Sequence, residues 1–336
     1  MMGEASQPVG VKKVWLDCDP GHDDALAIIL AGYDRRLKLI GVSTVAGNQT
    51  VEKVTLNALG VLTAAGLRDI PVAQGQAKPL IRAPQICPAI HGDSGLEFHD
   101  GGSMQDYAVG SPVLEKAVLY MHSCISSHAE HERVTLVCTG ALTNAALLVT
   151  LFPEVLDSIE IVLMGGCMGT GNTGSVAEFN IQSDPEAAKI VFECGVPLTM
   201  VPLEVTHRAL ATPGVLQRLT ARPTPFLQLM HKLLLFFAQT YRDVFSFEHP
   251  PLHDPLAVFY VACPEAFKVK RMRVDIETCS TLSAGQTVCD IWGQSALAPN
   301  ATVALEADIS TFWEAMISAL LKADMVSPLK SPANPV

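Results

Sequence analysis

The chain predicts an α/β fold: one large domain with a mainly parallel, mixed central sheet flanked by helices. Three observations carry this. Short β-like runs alternate with amphipathic stretches over most of the 336 residues, the signature of right-handed βαβ crossovers. Several of those runs are apolar throughout instead of alternating, as strands covered on both faces are. Small polar residues and glycines, not core residues, follow the runs, and ligands of such sheets bind beyond the strand carboxyl ends.

The elements follow in order. Residues 11–16 form an apolar run ending in Asp17-Cys18-Asp19-Pro20-Gly21, and 23–32 read as a helix with Asp23 and Asp24 in its first turn. Strand-like 37–45 ends at Gly47-Asn48, 51–65 are helical, and 70–73 form a third short strand. The segment 74–110 is rich in Gly, Pro, His and Asp and reads as a long loop; loops of that length are usually functional or mobile. The alternation resumes with helix 111–128, strand 134–138, helix 141–151, strand 158–164, helix 184–194 and strand 197–202. Helices at 212–218, 225–245 and 254–262 precede strand-like runs at 272–276, 286–292 and 302–306, read as a β-rich addition, and a closing helix at 310–322. The domain is expected over 11–325, with flexible tails at 1–10 and 326–336.

The formal charge of −11 disfavours a nucleic-acid or anionic-membrane partner, because both require clustered Lys and Arg. Mean hydropathy is +0.29, and residues 134–152 carry no charge. The polar turn Thr139, Gly140, Thr143 and Asn144 divides that stretch into a strand and a helix instead of a membrane span. No apolar signal core precedes Val14, and the nine cysteines are scattered without a C-x-x-C pair. Reduced thiols in a cytoplasmic protein are the expectation.

The strongest local signal is Asp17-Cys18-Asp19-Pro20-Gly21-His22-Asp23-Asp24. Four carboxylates at one strand-to-helix turn repel one another, and a hard cation with oxygen ligands relieves this. The alternatives are a capped helix with solvated acids, or the Asp-x-Asp nucleophile of an aspartyl-phosphate phosphatase using Asp17, Asp19 and Mg²⁺. His253-Asp254-Pro255 places a proton-transfer group beside a carboxylate, or is an ordinary helix cap. The Gly171–Asn180 segment, with Asn172, Glu178, Phe179 and Asn180, suits a hydroxyl-rich ligand or simply a turn. His91-Gly92-Asp93-Ser94-Gly95 is equally ambiguous alone.

Together these segments resemble the nucleoside hydrolase family of the inosine-uridine-preferring type. The resemblance runs from Val14 to about Trp313 through DCDPGHDDALAI, STVAGNQT, HGDSG, CTGALTNAA, VLMGG, SVAEFNIQSDPEAA, HRALATP and HDPLAV. It implies calcium-dependent cleavage of the N-glycosidic bond of ribonucleosides. Asp19, Asp24 and Asp254 would bind Ca²⁺ with carboxylates and Thr139 with its carbonyl, the ion also holding the attacking water and the ribose diol. Asp19 would be the general base. Asp23, Asn48, Met164, Asn172, Glu178 and Asn180 would surround the ribose, with His91 and Phe179 around the base. His253 would assist the leaving group. A homodimer or homotetramer is the family habit, and a silent nucleoside-binding relative is the non-enzymatic alternative. Two positions depart from relatives: Cys167 stands where a Gly is common, and Phe237 lacks the hydroxyl some relatives carry for a relay towards His253.

Overall fold

A computed structural model of the chain describes residues 10–129 and 132–329. Its strands are β1 (Lys12–Cys18), β2 (Leu37–Thr44), β3 (Val72–Gln74), β4 (Val134–Cys138), β5 (Ile159–Met164), β6 (Leu198–Val201), β7 (Phe267–Met272), β8 (Val274–Ile276), β9 (Thr287–Cys289) and β10 (Ala301–Ala307). Eight of them make one sheet in the order β3-β2-β1-β4-β5-β6-β10-β7. Every neighbouring pair is parallel except β10 with β7. The central strands are buried on both sides; β4 and β6 are buried at every residue. That double coverage is why their sequences are continuously apolar.

One face of the sheet packs Trp15, Leu136 and Leu163 against the helices Ala117–His128, Thr143–Leu151 and Pro185–Glu193. The other packs Leu16, Val137 and Val162 against His22–Tyr33, Val51–Ala64, Pro225–Phe245, Asp254–Ala262 and Ile309–Val326. Edge strand β7 exposes Lys268, Lys270 and Arg271, charges that discourage pairing with another chain.

The structure departs from the sequence reading in four places. The segment 74–110 is not uniformly irregular: it holds a helical turn at Pro88–His91 and a 3-10 turn at Met104–Tyr107. Buried Leu96 and Met104 and the bond from Cys87 N–H to Asn48 O (3.1 Å) pin it to the body. The helix expected from 111 starts at Ala117, because Val113 N–H donates to Val72 O and extends the chain beside β3. The expected strand 272–276 breaks at Arg273 into β7 and β8, and β7 with β10 completes the main sheet, so only the β8–β9 ribbon stands apart. Finally, Val326 ends the last helix and Ser327 is buried with its hydroxyl on Ala64 O at 2.7 Å. The remaining tail positions, 1–9 and 330–336, lie outside the described residues. The uncharged 134–152 stretch is β4 and the helix Thr143–Leu151, and no helix among the described residues is long and apolar enough to cross a membrane.

Candidate active site

From β1 the chain winds to β2 and β3 on one side; β4, β5 and β6 continue on the other. The crevice this reversal leaves at the carboxyl ends of β1 and β4 is where such sheets bind ligands. Asp19 follows β1, Asn48 follows β2, Thr139 follows β4 and Met164 closes β5. The helix His22–Tyr33 starts at once after β1, so Asp23 and Asp24 occupy its first turn and are buried. Asp254 opens the helix Asp254–Ala262 with Pro255 behind it, a residue suited to the first turn.

These elements converge on one cavity. At its floor, Asp23, Asp24 and Asp254 can each place a carboxylate oxygen within 4.8 Å of the others. Asp24 is fixed by Gly21 N–H at 3.0 Å, Thr139 Oγ1 at 2.8 Å and Asn48 Nδ2 at 3.2 Å. Asp19 accepts the Asn48 N–H on Oδ2 at 2.7 Å, while its buried Oδ1 has no partner among the described residues. A Cβ at Gly140 would lie 2.6 Å from that Oδ1, so the loop after β4 reaches the carboxylate only because it carries glycine. Burial, reinforced by neighbouring carboxylates, raises Asp19 and Asp254 and lifts Asp23 to about 7; burial also raises Asp24. Among the described residues no Lys or Arg lines the cavity. Clustered buried oxygens, one of them orphaned, with no basic side chain to offset them, fit a hard cation. The close trio contains Asp23 in place of the Asp19 named from sequence, with Asp19 alongside. The Thr139 carbonyl accepts Asn180 Nδ2 at 2.8 Å.

The second wall comes from the loop after β5. Glu178 caps the helix Phe179–Ser183, accepting Asn180 N–H at 2.9 Å, Gly166 N–H at 2.9 Å and Ile181 N–H at 3.2 Å. Burial outweighs these bonds and pushes it to about 7. Asn172 Oδ1 accepts Phe179 N–H at 2.9 Å, which ties the mobile-looking Gly-Asn turn to the wall. Cys167 Sγ is occupied by Val176 O at 3.3 Å.

The far end of the cavity is aromatic. His91, Phe237, Tyr241, Phe245 and His253 line it. His253 Nδ1 meets Thr206 Oγ1 at 2.7 Å and Nε2 meets the Tyr241 hydroxyl at 2.6 Å. Burial, with His207 nearby, lowers His253 to about 3, and burial also lowers His91. Tyr241 makes the contact to His253 directly, so the missing hydroxyl at Phe237 does not break that link.

The site residues that the resemblance implies all line this cavity except Asp19 and Asp24, which lie buried beside it. Sequence reasoning missed Cys87, Ile90, Thr173 and Phe245 in the lining, and Thr206 behind His253. None carries a local pattern. Asp17, a candidate nucleophile, faces away: its carboxylate accepts the Ser43 hydroxyl and Asn144 Nδ2, and burial raises it to about 7.

An acidic floor beneath an aromatic, histidine-bearing end, at the switch point of a parallel sheet, suits an enzyme that binds a small polar ligand. The model of the inosine-uridine preferring nucleoside hydrolase family matches residues 14–314, and the chain belongs to that family of enzymes acting on N-glycosyl bonds. It is 42% identical over 320 residues to a probable ribonucleoside hydrolase of Dictyostelium discoideum, covering 91% of this chain and 94% of that protein. It is 44% identical over 307 residues to the pyrimidine-specific ribonucleoside hydrolase RihA of Shewanella oneidensis (91% and 95% covered). The solved purine-preferring ribonucleoside hydrolase of Gardnerella vaginalis superimposes with a TM-score of 0.85 at 27% identity, covering 94% of this chain and all of that one.

Proposed function

We propose that the protein hydrolyses ribonucleosides to ribose and free base with calcium at the acidic floor. The observation that carries this is the polarity of the cavity: uncompensated carboxylates at one end, and the Tyr241–His253 pair at the other. Breaking an N-glycosidic bond builds positive charge on the ribose and negative charge on the departing base. The two ends of the cavity match those two charges.

Asp19, Asp24 and Asp254, with the Thr139 carbonyl and Asp23 adjoining, would hold the ion. Calcium, when bound, supplies positive charge that makes water more acidic and orients the ribose diol. Asp19 Oδ1, free of protein partners, takes the proton of the attacking water. Asp23, Asn48, Met164, Asn172, Glu178 and Asn180 enclose the ribose, and the Glu178 carboxylate stabilises the cationic ring. His91 and Phe179 flank the base. Burial keeps His253 neutral, so assistance takes the form of a hydrogen bond from the Tyr241–His253 pair to the base, which stabilises the charge growing there as the bond breaks.

The test is reducing-sugar release from inosine, uridine, cytidine and adenosine, with calcium and with chelator. Wild type should release ribose only when calcium is present. Asp19→Ala should lower kcat by about 10²–10⁴-fold, the range for a lost general base, with a smaller change in KM. Nucleoside binding without turnover by calcium-loaded protein would instead assign a silent binder, and phosphate release from an aryl phosphate would favour the phosphatase reading.

A further inference from the structure

At the base end His91, which flanks the base, pairs with a buried histidine, His22, that the reaction described above does not use. His22 opens its helix, and its Nε2 lies 2.9 Å from the Glu97 carbonyl oxygen. A carbonyl can only accept, so Nε2 carries a hydrogen. The ring stacks on Phe236 and Phe237 at interplanar angles of 1° and 3°, and among the described residues no carboxylate hydrogen-bonds to it. A neutral ring with its hydrogen on Nε2 has a lone pair on Nδ1. That lone pair faces His91 Nδ1 at 3.1 Å. Two facing lone pairs at this distance repel; the contact is a bond only if His91 Nδ1 carries the hydrogen.

One contact pulls the other way. The His22 backbone N–H approaches the same His91 Nδ1 at 3.4 Å and would favour a lone pair there. That amide has no intrahelical acceptor, so losing this one costs it a partner, but the 3.1 Å ring-to-ring contact is the shorter of the two and weighs more. Gly21 makes room for the pair: a Cβ there would lie 2.5 Å from His91 Nδ1 and 2.6 Å from Cε1. His91 lines the cavity, and among the described residues nothing hydrogen-bonds its Nε2.

We propose that His22 is a positioning residue that holds His91 in the Nδ1–H form, so that His91 presents Nε2 as an acceptor to the base and favours nucleobases with an N–H on the edge that reaches it. The proposal rests on the nucleoside reading above. His91 then recognises the base and has no Nε2 proton to give, which leaves leaving-group stabilisation to Tyr241 and His253.

Calcium-loaded protein labelled at the histidine nitrogens tests the first part. Long-range proton–nitrogen spectra separate hydrogen-bearing ring nitrogens from lone-pair ones. The hydrogens should sit on His22 Nε2 and His91 Nδ1; a hydrogen on His91 Nε2 overturns the proposal. His22→Phe keeps an aromatic ring for stacking and removes the acceptor, so a His91 Nε2–H signal should appear, and an unchanged His91 tautomer in folded His22→Phe overturns the positioning role. If that variant does not fold, the wild-type spectrum still decides. The second part compares uridine with 3-methyluridine and inosine with 1-methylinosine. Wild type should show KM raised roughly 2- to 10-fold for at least one methylated partner, the worth of one hydrogen bond, and His91→Phe should lose the difference. Equal KM values in wild type overturn the acceptor role. If no nucleoside is cleaved at all, the nucleoside reading fails while the spectra still report the tautomer.

Discussion

Stability measured against pH, with and without calcium, probes the acidic floor directly. Asp23 has an ordinary pKa of 3.8, and burial together with the Asp24 charge lifts it to about 7. At about 1.4 kcal/mol per tenfold change in acidity, ionising Asp23 in the folded, metal-free protein costs about 4 kcal/mol more than in the unfolded chain. Glu178, moved from 4.5 to about 7 by burial, adds about 3 kcal/mol on the same arithmetic. Both folded-state values lie above the unfolded ones, so it is the protonated forms that favour the fold. Their contribution is intact below about pH 4 and is lost as pH rises through about 7. Chelated protein should therefore melt at progressively lower temperature from about pH 5 to about pH 8. On the proposed reading, calcium at the floor would compensate the Asp23, Asp24 and Asp254 charges, so the loaded protein should fall less. Between about pH 5 and about pH 8 the Asp23 share of that change is about 2.6 kcal/mol, so at about 2 °C per kcal/mol for a domain of this size it alone makes the calcium increment roughly 5 °C larger at the alkaline end. Scanning calorimetry of both forms across that window provides the measurement. A chelated Tm that stays flat or rises, or a calcium increment equal at both ends, refutes the reasoning.

Other perturbations separate the parts of the site. Tyr241→Phe removes the hydroxyl 2.6 Å from His253 Nε2; kcat for natural nucleosides should drop about 10²-fold or more, while an aryl riboside whose leaving group needs no proton should be cleaved nearly as before. Gly140→Ala would set a methyl 2.6 Å from Asp19 Oδ1 and 2.9 Å from Val45 Cγ1; a shift of about 1 Å in the base should cost about 10²-fold in kcat, read by steady-state kinetics beside a modest loss of Tm. Asn144→Ala strips a donor from Asp17 and from Thr44 O, and an acceptor from Gln76 N–H; denaturant unfolding should show a loss of about 1–3 kcal/mol or more with KM unchanged, since Asn144 is outside the cavity lining.

The parts of this fold legible in sequence are those whose residues are fixed by local or two-sided burial. Strand Val134–Cys138 and the helices Pro225–Phe245 and Asp254–Ala262 coincide with their expected limits, because full burial, or a proline one step inside the helix start, marks their ends. Strand β7 was not legible: FKVKRM reads as polar surface, and only pairing with β10 makes it a strand. The turn at Pro88–His91 is four residues long and held by Asn48 O from another element, which no periodicity can reveal. At the site, the acidic turn pointed to a cluster of carboxylates but not to the direction of each. Asp17 turns to Ser43 and Asn144, while Asp23 joins Asp24 and Asp254; backbone geometry decides this, not spacing. His22 lay inside the most specific motif, yet its partner His91 is 69 residues away, so its use became visible only in three dimensions.

The placement of the acids explains why they are tolerated at all. A parallel sheet gathers several strand ends at one switch point, and each contributes one short polar turn, so carboxylates from β1, its following helix and the helix Asp254–Ala262 meet in a space sealed by apolar elements. Each acid keeps part of its hydrogen bonding: Asp24 has three donors, Glu178 three amides, Asp19 one. Those bonds fix geometry without cancelling charge, because every donor is neutral and burial still raises each pKa. A site built this way should be more stable with a cation bound than without one. The same uncancelled charge that burdens the empty fold is what a cationic ribose meets as the glycosidic bond breaks, so the stability loss on chelation and the loss of rate on removing Asp19 should have one electrostatic origin.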